Sequence, residues 1–165
     1  MPKLPLSIVP VDKIPKGEEV PLEDLLDIFR HAVFMQNLCL QLDGIGLSAV
    51  QVGIPWNLFV VNDEKEGGIF LNCSFEGIGE KDQDSIEGCL SLKGQNGKLR
   101  RFSVKRYKKV RVKGKKLLVQ RGDPQFVLQE IDKEYDGLFS VVFQHEIDHA
   151  LGILISDSGT EIHIW

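Results

Sequence analysis

The sequence is short of the features that mark several protein classes. Its three cysteines, Cys39, Cys73 and Cys89, fall at no framework spacing, so a disulfide scaffold is not expected and a reducing, cytoplasmic setting is. No apolar run approaches the roughly 18 residues that a spanning helix needs, so no membrane association is expected. The opening Met1-Pro2-Lys3-Leu4-Pro5-Leu6-Ser7-Ile8-Val9-Pro10 lacks the unbroken apolar core of a secretory leader. It is also too rich in proline for an amphipathic transit helix, so no leader is expected. Internal repeats, low-complexity tracts and linkers are missing too. Residues 1–165 therefore read as one domain, long enough for a real core, with an ordinary apolar fraction of 42%.

The net charge of −4 hides an asymmetry. Residues 98–116 hold 11 of the 20 lysines and arginines and no acid. One reading is a solvated, twisted hairpin with a basic outer face, since surface strands often carry lysine as edge protection. The other is a patch for RNA or another acidic partner. The hairpin is the favoured reading.

Along the chain, residues 1–19 read as an extended arm. Pro21 opens a helix in its first turn, with Glu23 and Asp24 at the positive end of its dipole. Leu22, Leu25, Leu26, Phe29, Val33, Leu38 and Leu42 form its expected buried stripe, and Gly44 ends it. His31 reads as a surface or packed histidine and Cys39 as a small core residue. The stretch Gly44-Ile45-Gly46-Leu47-Ser48-Ala49-Val50-Gln51-Val52-Gly53 lacks the Gly-Lys-Ser/Thr of a phosphate loop. It fits a backbone segment that pairs with an extended substrate.

Strands are predicted at 58–62, 69–74, 99–107, 109–113, 116–120, 125–131 and 153–155. Turns are predicted at Gly67-Gly68, Lys113-Gly114 and Gly122-Asp123-Pro124, and a tail runs to Trp165. Cys89 is placed between Gly88 and a short turn. The fold class is α+β, with antiparallel β-sheets wrapped around a central helix that binds metal.

That helix carries Gln144-His145-Glu146-Ile147-Asp148-His149. A helix advances about 100° per residue, so i and i+4 share a face. His145 and His149 can offer two imidazoles to one ion, and Glu146 a carboxylate to its bound water. Asp136 is a plausible N-cap and Gly152 a natural stop. Leu138, Val141 and Val142 precede His145 by seven, four and three residues. They share its face and should wall an apolar pocket, with Ile45 opposite; core packing is the alternative, and both can hold.

A third ligand is required. The pattern that adds a histidine six residues on is excluded, because Ile155 stands there. Glu161 and His163 remain open as downstream donors. Cys89 is the better candidate: a thiolate completes a His2Cys set and leaves a fourth position open.

Three segments resemble the peptide deformylases. Gly44-Ile45-Gly46-Leu47-Ser48-Ala49-Val50-Gln51 matches the family's Gly-x-Gly-Leu-Ala-Ala-x-Gln, with Ser48 in place of its first alanine. Glu87-Gly88-Cys89-Leu90-Ser91 matches its second motif in full, and Gln144 to Gly152 its third. The resemblance implies removal of the N-formyl group from the initiator methionine of nascent polypeptides, with formate released. It implies one divalent ion, Fe(II) or Zn(II), held by Cys89, His145 and His149. Glu146 would be the general base and acid, and the Gln51 amide with the Leu90 backbone N–H would donate to the oxyanion. Backbone around Ile45 and Gly46 would pair with the substrate, and Arg101 matches a substrate-side arginine, with Arg100 adjacent. Glu87 and Asp148 read as supporting partners, of Arg106 among others.

Many family members continue into a long C-terminal helix implicated in ribosome docking. Only Ser156 to Trp165 follow here, so ribosome contact by that route is not expected. The short form is similar to organelle- or phage-type members. The expected partners are N-formyl-methionyl peptides, and a monomer is favoured.

Overall fold

The computed structural model describes residues 4–120, 122 and 125–163. Its first helix, α1 (Leu25–Gln41), starts later than Pro21. Asp24 is the N-cap, its side chain accepting from the Asp27 N–H at 3.0 Å. The buried stripe is also rotated from the expected one. Ile28, His31, Ala32, Met35 and Cys39 face inward, with Leu22, Leu25, Phe29, Leu38 and Leu42 packed on the margin. Leu26 lies in solvent and Val33 is half-buried. Leucines are so frequent here that they do not by themselves define the face. His31 is packed, its Nδ1 donating to the Asp27 carbonyl at 2.9 Å.

Strands β1 (Gly46–Ser48), β2 (Leu58–Val61), β3 (Gly68–Ile78), β6 (Lys109–Val119) and β7 (Phe126–Asp136) form one antiparallel sheet in the order β1-β2-β3-β6-β7. Between β3 and β6 the chain makes β4 (Gln83–Lys93) and β5 (Leu99–Arg106). These join β8 (Thr160–Ile162) in a second sheet, β4-β5-β8. The five-stranded sheet is covered on both faces. Leu58, Val60, Ile69 and Leu71 pack toward α1, while Phe59, Val61 and Phe70 pack toward α2 (Gly137–Ala150). Side chains alternate along a strand, so an unbroken apolar run such as Leu-Phe-Val-Val suits a strand buried on both sides.

Phe143 anchors α2 to the sheet. It is fully buried, stacked on Tyr135 at 4.2 Å and edge-on to Phe70 at 5.0 Å and Phe59 at 5.6 Å. Burying such a ring is worth about 1.5–3 kcal/mol. Asp136 occupies the cap position of α2 but makes no side-chain cap bond. Gly152, at φ +79°, turns the chain out of the helix as expected.

Several predicted elements differ. Lys113-Gly114 is not a turn: β6 runs straight through it. A bulge in β3 between Leu71 and Ser74 faces this point, and Asn72 there has φ +53°. A Cβ on Gly114 would lie 2.5 Å from Cys73 Sγ and 2.8 Å from its Cα, so glycine serves close approach and not a reversal. Residues 153–155 are not a strand. Ile155 opens a short helix, α3 (Ile155–Ser158), packed against Cys89, Leu92, Phe102 and Val104, and Asp157 accepts from the Leu154 N–H at 2.8 Å. Cys89 lies on β4 and not beside a turn. Of the predicted Gly122-Asp123-Pro124 turn, Asp123 and Pro124 lie outside the described residues, as does the Trp165 end of the tail.

The basic stretch is not the expected hairpin: it covers β5 and β6, which do not pair and belong to different sheets, and acids on their neighbouring strands face it. On β7, Asp132 takes Arg111 at 2.5 Å, Glu134 takes Lys109 at 3.6 Å, and Glu130 pairs with Lys115. Lys105 meets Asp84 at 2.8 Å, and Arg100 grips Glu161 of β8 at 2.7 and 2.8 Å. Cross-strand pairing supplies counter-charge to these side chains. Among the described residues no helix is long and apolar enough to cross a membrane.

One ion cluster ties α2 to the second sheet. Arg106 is 1% exposed. Its Nε and Nη2 donate to the Glu87 carboxylate at 2.8 and 2.9 Å, and its Nη1 to Asp148 Oδ2 at 2.5 Å. Removing one partner of such a buried group leaves uncompensated charge. Arg106→Met is therefore expected to lower unfolding stability by about 3–5 kcal/mol in urea titration. Gly114→Ala should cost about 1–3 kcal/mol in the same assay by forcing the bulge apart.

Candidate metal centre and active site

The i,i+4 spacing on α2 places the two imidazoles as expected. His145 Nε2 and His149 Nε2 are 3.2 Å apart, and His149 Nε2 is 3.5 Å from Cys89 Sγ. The three donor atoms lie within 4.8 Å of one another. Around a tetrahedral ion, bonds of about 2.05 Å to nitrogen and 2.3 Å to sulfur give ligand separations of about 3.3 Å (N–N) and 3.6 Å (N–S). The two closest pairs thus already match the edges of such a site. Glu161, held by Arg100, is not in this group, and neither is His163.

The surroundings favour a cation. His145 Nδ1–H donates to Glu87 Oε1 at 2.8 Å, which turns Nε2 toward the cluster. Burial disfavours charge on His145, but the Cys89 sulfur and the Glu87 carboxylate outweigh it and hold its pKa up at about 10. The same negative field attracts a metal ion. Burial, then the nearby His145 and Arg106 charges, push His149 well below the usual imidazole range, so its ring is neutral and free to ligate. Glu87 is also opposed by burial, yet the Arg106 hydrogen bonds dominate and bring it down to about 2. It stays ionised and keeps its grip on His145. Cys39 and Cys73, each raised to about 12 by burial first, are inert packing thiols.

Glu146 stands beside the ligands, 4% exposed, and its Oε2 has no hydrogen-bond partner. Burial is the main cause that lifts its carboxyl to about 7. A buried carboxylate without a fixed partner can gain and lose a proton near neutrality. Gly46 makes room for it: a Cβ there would come within 2.5 Å of Glu146 Oε1. Gly88 is crowded in the same way by the Arg101 guanidinium, at 2.9 Å.

Gln51 reaches the centre from a 3-10 turn, Ala49–Val52, that follows β1. Its Oε1 accepts from the Ser48 N–H at 2.9 Å, and its Nε2 donates to Ser91 Oγ at 2.9 Å and lies 3.4 Å from Cys89 Sγ. The substitution of Ser48 for alanine is local: its hydroxyl faces the Leu58 carbonyl at 3.5 Å. The β4–β5 ladder is interrupted between Gly88 and Lys93. Cys89 and Leu90 fall in that interruption, off the regular ladder.

A cleft of about 630 Å³ opens over these groups. Gly46, Gln51, Cys89, Leu90, His145 and Glu146 form its floor side. Val141 and Val142 wall it, Leu138 and Ile45 stand exposed at its margin, and Arg101 borders it from β5. His149 lies beneath and is not part of the lining. β1 and β4, the outer strands of their sheets, flank the cleft.

Two supports were not apparent from the sequence. Gln144 brackets the backbone of Tyr107, accepting its N–H at 3.0 Å and donating to its carbonyl at 2.9 Å, while Ser140 Oγ donates to the same carbonyl at 2.9 Å. This fixes the rotation of α2. The arm also reaches the site, with Val9 N–H on the Gln51 carbonyl and Gly17 N–H on the Ala150 carbonyl, both at 2.9 Å. Gln144 and Ser91 both lie inside the motifs read from the sequence, but their hydrogen-bond partners are distant in the chain and not readable from it.

Comparison with known proteins agrees with this arrangement. A sequence model described as polypeptide deformylase matches residues 2–163. A peptide deformylase of Syntrophomonas wolfei is 35% identical over 164 residues, covering 96% of this chain and 98% of its own. One from Rhodopirellula baltica is 38% identical over 131 residues, covering 74% of this chain, which spans 56% of that longer relative. The crystal structure of a probable peptide deformylase from Synechococcus phage S-SSM7 superposes with a TM-score of 0.73 at 30% identity, covering 93% of this chain and 99% of its own. With three motifs in order and one fold throughout, the chain belongs to the polypeptide deformylase family, enzymes that remove the N-formyl group from nascent peptides.

Proposed function

We propose that this chain hydrolyses the N-formyl group of the initiator methionine of nascent polypeptides, releasing formate, in a metal-dependent reaction. The observation that carries this reading is the convergence of one sulfur and two imidazole nitrogens beside a buried carboxylate without a partner, at the floor of a cleft. Cys89, His145 and His149 would hold one divalent ion. A thiolate with two imidazoles suits Fe(II) and Zn(II) alike. When bound, such an ion supplies Lewis acidity and an activated water.

The remaining roles belong to the chain. Glu146 takes the proton of the attacking water and delivers it to the leaving amine. Its burial without a hydrogen-bond partner on Oε2 leaves it free to make both transfers. Charge grows on the formyl oxygen during attack, and the Gln51 amide and the Leu90 N–H donate to it. Losing one such donor typically costs about 10²–10³ in rate. The substrate backbone adds to the outer edge of β1 near Ile45 and Gly46. The methionine side chain enters between Val141 and Val142, with Leu138 and Ile45 at the mouth. Arg101 stands where the following residues leave the cleft.

Formate should be released from formyl-Met peptides, with no comparable acetate release from acetyl-Met peptides, because a methyl clashes where only hydrogen fits. Equal rates on the two substrates would overturn the reading. Glu146→Gln should retain the metal and lose about 10²–10⁴ in kcat. Cys89→Ala should lose metal by elemental analysis, and unaltered metal content would remove the thiolate from the ligand set.

A further inference from the structure

The reading of Gln51 as a donor leaves one question open. A primary amide can flip end for end, and in a buried pocket both orientations compete. Gln51 is 2% exposed, so each of its polar atoms needs a partner. Two contacts decide the orientation. The Ser48 N–H can only donate, and it meets Oε1 at 2.9 Å. Nε2 then faces β4, where Ser91 Oγ accepts from it at 2.9 Å.

We propose that Ser91 is a positioning residue for the reaction, which holds one N–H of Gln51 so that the other is aimed at the position of the developing oxyanion. The inference rests on the donor role of Gln51 given above. An amide nitrogen carries two hydrogens. Ser91 takes one. The other lies on the side of Cys89 Sγ, 3.4 Å away. Sulfur is a larger and softer acceptor than oxygen, so an oxyanion developing beside it, with a more concentrated charge, competes for this N–H. Without the Ser91 hydroxyl, Nε2 loses its only short acceptor, and the amide is free to rotate away.

Strand geometry explains why a serine two residues after the sulfur can do this. Cys89 and Ser91 both lie where the ladder of β4 to β5 is interrupted, so strict alternation of faces does not hold there and both side chains can turn toward Gln51. One amide group can therefore touch both. Ser91 is not itself a lining residue of the cleft, and its side-chain hydrogen bond among the described residues is the one to Gln51, so its influence passes through Gln51.

The test is a coupled set of variants in the metal-loaded enzyme. Ser91→Ala should lower kcat about tenfold while KM and metal content stay within twofold. Ser91→Thr, which keeps the hydroxyl, should recover most of the loss. In a Gln51→Ala background, Ser91→Ala should cost nothing further. The side-chain amide protons of Gln51, followed by NMR, should exchange with solvent about tenfold faster in Ser91→Ala than in the parent. An equal loss with and without Gln51, or unaltered amide exchange, overturns the role of Ser91 and leaves that of Gln51 standing. Full kcat in Gln51→Ala alone overturns both, which separates the two failures.

Discussion

The site depends on a buried circuit of charge. Arg106 from β5, Glu87 from β4 and Asp148 from α2 meet away from water, and Glu87 passes its second interaction to the ring of His145. Each of these groups alone would be costly to bury. Together they satisfy one another, and the arrangement is closed only when α2 lies at one height and angle against β4. That constraint sets the distance between the Cys89 sulfur, which belongs to the strand, and the two imidazoles, which belong to the helix. The grouping of donors that could hold a metal is thus a consequence of how an ion cluster joins two elements.

The helix is held differently on its two sides. Toward the five-stranded sheet it presents Val142, Phe143 and Ile147, which pack with Phe59, Phe70 and Tyr135. Such contacts resist separation but tolerate small rotations. Rotation is resisted by directional bonds, from Gln144 and Ser140 to Tyr107 and from Asp148 to Arg106. The chemical side is crowded to the same degree. Glycine at 46 is the residue whose absent side chain leaves space for the Glu146 carboxylate. The residues of the candidate site are therefore placed by packing, hydrogen bonds and omitted atoms acting together.

The places where sequence reading diverged share one physical cause. A glycine after a lysine reads as a turn, yet Gly114 sits within a continuous strand because a bulge in β3 brings Cys73 against it. The apolar run at 153–155 fits a strand by composition. Ile155 instead closes the small core of the second sheet from a helical turn. The stripe on α1 was misassigned because leucines occur around much of the helix, and only contact with the sheet selects the buried side. The basic stretch reads as one hairpin, yet its two strands part into different sheets, because β6 pairs with β3 and β7 and β5 with β4 and β8. Each outcome depends on a neighbour distant in the chain.

Local spacing alone determined that His145 and His149 share a helical face with Glu146 beside them, since helix geometry requires it. Motif order made Cys89 and Gln51 candidates for the same centre, and the α+β antiparallel architecture was legible from strand-length apolar runs. Only the tertiary structure decided that the sulfur approaches the His149 imidazole at ligand-edge distance, that Glu146 is left without a partner, and that the Ser91 hydroxyl accepts from the Gln51 amide. Those facts depend on segments 40 to 60 residues apart in the chain, and no periodicity within one segment encodes them.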